Sequence, residues 1–125
     1  MTDLPETFTL HAPDKDRIAC CLAPWAAFAV HLLPGPLIAE HDPPPRYRAF
    51  HQLANFAGVP ISMTPGVNIP REPKTWATLR VMSNRAANRL IEEQNRKPFS
   101  PKVADSVAKA VAFFRDMAMA AAARE

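Results

Sequence analysis

Arginines and asparagines that alternate along residues 74–97 are the side chains of this sequence best suited to binding chemistry. The basic residues of this segment are Lys74, Arg80, Arg85, Arg89, Arg96 and Lys97, and Asn84, Asn88 and Asn95 lie among them. Guanidinium groups bind phosphates and carboxylates, and an asparagine amide can pair with adenine. Arg85 and Arg89 are four residues apart, so a helix would place them on one face. This pattern indicates a surface for nucleic acid or for an acidic protein partner.

Basic charge is concentrated in one part of the chain. The 125 residues include 15 Lys and Arg and 12 Asp and Glu, a net charge of +3. Residues 71–102 hold eight basic and three acidic residues, a net charge of +5, whereas residues 1–42 hold two basic and six acidic residues, a net charge of −4. A local cationic face of this kind suits an anionic partner. The other interpretation is a solvated helix face, partly neutralised by the acidic part of the chain.

The sequence contains no recognisable catalytic or metal-binding motif. G-x-S-x-G, a Walker loop, H-E-x-x-H and C-x-x-C are all missing. His41 with Asp42 and His51 is the one cluster suited to metal or acid–base chemistry, but its spacing is not that of ligands on one helix. Cys20 and Cys21 are adjacent, which disfavours a disulfide between them and favours inert, buried thiols in a reducing cytoplasm. We therefore expect no enzymatic activity, no metal and no cofactor.

The sequence also gives no indication of a membrane-spanning segment. Residues 1–10 have no basic start leading into an apolar run, so they do not resemble a signal peptide. The most apolar window, residues 18–33, is 16 residues long and contains Pro24 and His31. A bilayer span needs roughly 20 residues. We expect a cytoplasmic protein without a transmembrane helix.

A helix is needed to place the basic side chains on one face, and we predict it over residues 74–97, the longest interior run without proline or glycine. Its apolar stripe consists of Trp76, Leu79, Met82 or Ser83, Ala86 or Ala87, and Leu90 or Ile91. Pro73 suits the first helical turn and Pro98 ends the helix. Ser83 and Asn84 could instead cap a new helix. Residues 75–82 and 84–97 would then form a helix-turn-helix.

A second long helix follows Ser100 and Pro101, with the serine hydroxyl as its cap and the proline in its first turn. Its apolar residues form a seam at alternating spacings of four and three: Val103, Val107, Ala110, Phe114, Met117 and Ala121. Val111, Phe113 and Ala118 widen the stripe. A wide stripe generally faces an internal core, so we expect the seam to be filled within the chain, with a second copy as the alternative.

Fourteen prolines divide the rest of the chain. We expect an extended arm over residues 1–13, and then a helix that starts near Lys15, ends or kinks at Pro24 and continues over residues 25–33. Another helix should run from about Pro44 to Ala57, with Gly58 as its C′ residue. Residues 59–73 form an irregular, proline-rich connector. It is either a spacer or a stiff partner-binding loop that presents Ile61, Met63, Pro65, Val67 and Ile69.

These features predict one all-α domain over residues 1–125. It is a small helical bundle of four or five helices, joined by proline-rich connectors and preceded by the extended N-terminal arm. The missing motifs favour a non-catalytic binding or accessory subunit that docks into a larger protein assembly or forms a homo-oligomer. The alternative is a nucleic-acid-binding protein that uses the basic helix 74–97.

Overall fold

The computed structural model describes residues 12–29, 45–59 and 73–125. These ranges form four α-helices and contain no strand: α1 is Ala12–Ala29, α2 is Pro45–Ala57, α3 is Pro73–Arg96 and α4 is Pro101–Ala122. The prediction of an all-α protein with a small helical bundle is confirmed, and four helices are formed in the described part of the chain. Residues 1–11 of the expected arm and residues 60–72 of the expected connector lie outside the described ranges.

Each helix of the bundle packs mainly against two others. Helix α1 contacts α2 and α3, and α4 contacts the same two helices, so the order around the bundle is α1, α3, α4, α2. Arg17 near the start of α1 contacts Glu93 near the end of α3, and Trp25 contacts Ser83 in the middle of α3. Helices α1 and α3 are therefore antiparallel. The short link 97–100 makes α3 and α4 antiparallel neighbours as well.

The four helices share one core that is centred on aromatic side chains. The Trp25 ring meets Phe50 and Phe114 edge to face, with both pairs of ring centroids 5.2 Å apart. Phe50 also stacks on Phe113 at a centroid distance of 4.6 Å. Aromatic pairs in these geometries contribute about 0.5–1.5 kcal/mol beyond the burial of their area. This cluster joins α1, α2 and α4 at the centre of the bundle.

The seam of α4 faces this core. Val103, Val107, Ala110, Phe114, Met117 and Ala121 are all buried, each no more than 3% exposed, and Phe113 and Ala118 are buried beside them. Helix α4 contacts α2 and α3 along this side. The seam residues are therefore covered by helices of the same chain, which leaves them unavailable to a second copy.

Helix α2 ends as its glycine predicts. Gly58 has a φ of 76°, a backbone conformation that costs other residues energy. Its N–H donates to the carbonyl of Asn55 at 3.2 Å, and the N–H of Val59 donates to the carbonyl of Ala54 at 2.9 Å. These two bonds form a Schellman motif. Val59 is only 6% exposed, so this residue of the expected connector belongs to the core.

Helix α1 differs from its expected form because it does not end at Pro24. It is continuous over Ala12–Ala29, and it begins before Lys15. Pro24 lacks an N–H, so the carbonyl of Cys20 loses its usual helical partner. Buried side chains on both sides of the proline, Leu22 and Trp25, anchor the helix in the core. Packing therefore outweighs the local preference of proline. The described residues form one continuous N-terminal helix, where the sequence predicted a helix that ends or kinks at Pro24.

Helix α3 is also continuous, which makes the alternative of a turn at Ser83 and Asn84 wrong. The Ser83 side chain is fully buried, and its Oγ accepts a hydrogen bond from Nε1 of Trp25 at 2.8 Å. The hydroxyl therefore serves the core rather than a helix cap, and a helix-turn-helix over 75–82 and 84–97 is not formed. At the start of α4, Ser100 makes no side-chain capping bond with the described residues, although Pro101 begins the helix as expected.

Candidate functional site

The outer side of α3 carries an open groove with a volume of about 430 Å³. Its lining is called the basic face below and consists of Arg80, Val81, Asn84, Arg85, Asn88, Arg89 and Glu92. These residues recur at three- and four-residue spacing, which places them on one side of the helix. The opposite side, which includes Leu79 and Leu90, is buried in the core. Burial of one side thus fixes which side chains face solvent.

Arg85 and Arg89 are the free cations of the basic face. Both are exposed, and neither forms an ion pair or a hydrogen bond within the described part of the chain. They lie one helical turn apart, at a spacing where like charges destabilise a helix by about 0.2–0.5 kcal/mol. An anionic ligand over this pair would relieve that repulsion and could accept several charge-assisted hydrogen bonds.

Arg115 of α4 reaches across to the basic face. Its Nη1 donates to Oδ1 of Asn84 at 3.1 Å, and its Nη2 donates to Oδ1 of Asn88 at 2.7 Å. One guanidinium therefore holds two neighbouring amides by their oxygens. The two Nδ2 groups are the hydrogen-bond donors left on these side chains. Helix α4 thus takes part in arranging a surface that the sequence assigned to α3 alone.

The other predicted cations differ in their surroundings. Nε of Arg80 donates to Oε2 of Glu125 at 2.5 Å, and this hydrogen bond with its charge attraction raises the pKa of Arg80. Nη2 of Arg96 donates to Oε1 of Glu93 at 2.6 Å, which raises the pKa of Arg96 in the same way. Both charges are therefore partly neutralised by the protein itself.

Lys74 and Lys97 are exposed at opposite ends of α3 and outside the groove. Neither side chain forms an ion pair with a residue of the described ranges. The geometry therefore concentrates the predicted cationic site on Arg85, Arg89 and the amides between them.

Arg17 is a residue whose role the sequence did not reveal. Its side chain is only 11% exposed, and it donates to Oε1 of Glu93 at 2.7 Å and to Oδ1 of Asp14 at 3.0 Å. Nη2 also donates to the carbonyls of Glu93 and Lys97, and the guanidinium lies 4.0 Å from the ring centroid of Phe99. Arg17 therefore caps the C-terminal end of α3 from α1. The i,i+3 spacing of Asp14 and Arg17 was the available sign that this arginine is held in place.

The other candidate sites fall mainly outside the described ranges. This applies to His41, Asp42 and the proposed loop side chains Ile61, Met63, Pro65, Val67 and Ile69. His51 lies on α2, with Nδ1 at 3.3 Å from Nδ2 of Asn55. Among the described residues, no group of three or more His, Cys, Asp or Glu side chains could hold a metal ion.

The two cysteines have different environments. Cys21 is buried, and desolvation raises the pKa of its thiol to about 11. Cys20 is exposed on the other side of α1. The expectation of two buried thiols is therefore right for Cys21 and wrong for Cys20, because adjacent helical residues point in directions about 100° apart.

Comparisons with known proteins give no match of any kind. No protein-family model matches the chain, and no curated protein and no solved structure matches it either. Among the helices of the described ranges, none combines the length and the hydropathy needed to cross a membrane.

Proposed function

We propose that this protein is a non-catalytic helical binding subunit that docks onto an acidic surface of a partner protein through the basic face of α3. The observation that carries this proposal is the exposed pair Arg85 and Arg89, which forms no ion pair with any of the described residues. Arginine is enriched at protein interfaces because its planar guanidinium binds carboxylates with two hydrogen bonds. Such a subunit needs no reaction chemistry of its own.

The surroundings of the arginine pair favour a protein partner over nucleic acid. Val81 is 42% exposed within the basic face, and Ile91 and Met119 are exposed outside the groove on α3 and α4. Apolar side chains next to arginines suit a protein interface, where a partner can cover them. Glu92 in the same groove would repel a phosphate backbone. A partner protein can place a neutral or basic residue opposite this carboxylate.

The decisive experiment is a pull-down from the native host with the tagged full-length chain, with and without nuclease treatment. We expect an acidic partner protein to co-purify in both conditions. Arg85→Ala/Arg89→Ala should reduce its recovery about tenfold or more, since each arginine contributes charge-assisted hydrogen bonds. Lys102→Ala/Lys109→Ala on α4 is the matched control, because it removes the same charge from exposed positions outside the groove.

Equal recovery with the arginine double variant and with the parent would show that the basic face is not the docking surface. Recovery of a partner only without nuclease would instead support nucleic-acid binding.

Nucleic-acid binding is the second candidate function, and the same free guanidinium pair favours it. If Arg85 and Arg89 each contact one phosphate, Arg85→Ala/Arg89→Ala should flatten the slope of log affinity against log salt by about 1.8 for a duplex. A salt-titrated mobility shift measures this slope. An unchanged slope in the double variant would exclude phosphate binding by the pair.

A further inference from the structure

The two asparagines of the basic face are held in a fixed orientation by a residue of another helix. Arg115 donates one N–H to Oδ1 of Asn84 and another to Oδ1 of Asn88, at 3.1 and 2.7 Å. Arginine has only donors, so these bonds require the amide oxygens to face α4. The amide nitrogens, which are donors, are then left for solvent or a ligand.

The basic face therefore presents hydrogen-bond donors over most of its length. Arg85 and Arg89 add guanidinium N–H groups to the two amide nitrogens, and these side chains lie within one groove. Glu92 is the negatively charged lining residue, and it lies one turn beyond Asn88 towards the end of α3. A ligand with acceptors only would match the part of the groove that precedes Glu92.

On the basis of the proposed function, we infer that the ligand is a carboxylate-bearing peptide segment and that Arg115 is a positioning residue that sets this specificity. Carboxylates are pure acceptors, so each can bind a guanidinium and an amide N–H without opposing lone pairs. Acidic side chains one helical turn apart in the ligand match the spacing of Arg85 and Arg89. The ligand has no acidic residue opposite Glu92.

The same geometry argues against base reading by Asn88. Pairing with adenine requires an asparagine to donate to N7 and to accept from the N6 amino group through its own oxygen. Oδ1 of Asn88 already accepts from Arg115 at 2.7 Å. This bond turns the oxygen towards α4, so two-bond pairing with adenine would require the amide to rotate. A carboxylate can bind the outward Nδ2 group without any rotation.

The test uses the full-length protein and a fluorescein-labelled, alanine-based helical peptide with glutamates at i,i+4 spacing, measured by anisotropy at low salt. Asn88→Asp replaces an outward donor by an acceptor and should weaken binding about tenfold or more, as expected for the loss of a hydrogen bond to a charged group. Asn95→Asp makes the same change of charge on an exposed residue of α3 outside the groove. It should weaken binding no more than about twofold, through long-range repulsion alone.

A second variant isolates the positioning role of Arg115. Arg115→Lys keeps the charge but cannot donate two fixed, parallel N–H groups to both amides. We expect the preference for the glutamate peptide over its glutamine counterpart to fall severalfold, and the side-chain amide NMR signals of Asn84 and Asn88 to shift. Arg48→Lys on an exposed position of α2 is the control and should change neither.

The outcomes separate this inference from the proposed function. If Arg85→Ala/Arg89→Ala abolishes peptide binding but Asn88→Asp behaves like Asn95→Asp, the docking surface stands and the orientation by Arg115 is refuted. If the parent does not bind the glutamate peptide at low salt, both proposals fail. Binding of a DNA duplex in place of the peptide would also overturn both.

Discussion

At the scale of single residues, the contact between Trp25 and Ser83 shows how a polar group is used inside the core. The indole Nε1 donates to the Ser83 hydroxyl at 2.8 Å, and both side chains are almost completely buried. A buried N–H without a partner costs energy because it loses water and gains nothing in return. The serine in the apolar stripe of α3 therefore supplies the hydrogen-bond acceptor that the buried tryptophan on α1 needs.

Ser83→Ala should lower the free energy of unfolding by about 1–3 kcal/mol, because it leaves the Trp25 N–H buried and unsatisfied. Urea unfolding followed by tryptophan fluorescence measures this change. Ser100→Ala is the matched control, since that exposed hydroxyl makes no capping bond, and it should stay within about 0.5 kcal/mol of the parent. Equal effects of the two substitutions would contradict the role given to the buried hydrogen bond.

The cysteines provide a second test at this scale. Cys20 is exposed and Cys21 is buried, with the pKa of its thiol raised to about 11 by desolvation. Because the thiolate is the reactive form, iodoacetamide at neutral pH should modify the native protein once, at Cys20. Mass spectrometry should find two modifications after denaturation. Modification of Cys21 in the native state at the rate of Cys20 would contradict the structure.

At the scale of the element, the two sides of α3 differ in composition and in surroundings. The buried side places Trp76, Leu79 and Leu90 in the core, and the opposite side presents the basic face. The apolar stripe fixes the rotation of the helix about its axis, and this rotation exposes Arg85 and Arg89. Core packing and the proposed docking surface are therefore specified by residues that alternate along the same 24-residue helix.

The internal proline of helix α1 leads to a testable prediction about stability. Pro24→Ala restores an N–H for the carbonyl of Cys20, which stabilises the folded helix. It also gives the unfolded chain more conformational freedom, which offsets part of this gain. The net effect should be a rise of about 1–3 kcal/mol in the free energy of unfolding. Pro101→Ala at the first position of α4 is the matched control. It should give no gain, since proline is favourable there.

Thermal and urea unfolding of both proline variants measure the difference. A loss of stability in Pro24→Ala would contradict this prediction, because it would show that the proline ring stabilises α1 by more than the missing hydrogen bond costs.

At the scale of the whole molecule, Arg17 joins the beginning of α1 to the end of α3. It bonds to the Glu93 carboxylate and to two carbonyls at the end of α3, and it stacks on Phe99 in the link to α4. The last carbonyls of a helix have no partners within it, so a cation placed there is favourable. This contact connects two parts of the chain that lie 76 or more residues apart in sequence.

Stability should therefore decrease in acid through Glu93. Hydrogen bonds from Arg96 and then Arg17 hold the pKa of this carboxyl below its ordinary value of 4.5. The unfolded state then binds more protons than the folded state, so the free energy of unfolding falls as the pH drops below about 4.5 and through the folded pKa. Glu93→Gln should flatten this dependence in urea unfolding measured at a series of pH values.

Glu92→Gln is the matched control for the acid series, because it removes the adjacent carboxylate, which forms no ion pair within the described residues. An equal flattening in both variants would mean that the loss of one negative charge, rather than of the hydrogen bonds from Arg96 and Arg17, changes the pH dependence.

Much of the helical framework could be predicted because it follows from local sequence. The apolar spacing in α3 and α4 and the glycine after α2 depend on residues within a few positions of each other. The continuation of α1 through Pro24 could not be predicted in this way, because it depends on packing of Leu22 and Trp25 against other helices.

The candidate site shows the same division. The sequence by itself determined that this is a helical protein and that one helix carries arginines and asparagines on a common face. Only the tertiary structure decided which of these side chains are free. Arg115 lies 31 and 27 residues from the two asparagines it holds, and Glu125 lies 45 residues from Arg80. Hydrogen bonds over such separations depend on how the helices pack, and no local pattern of residues encodes them.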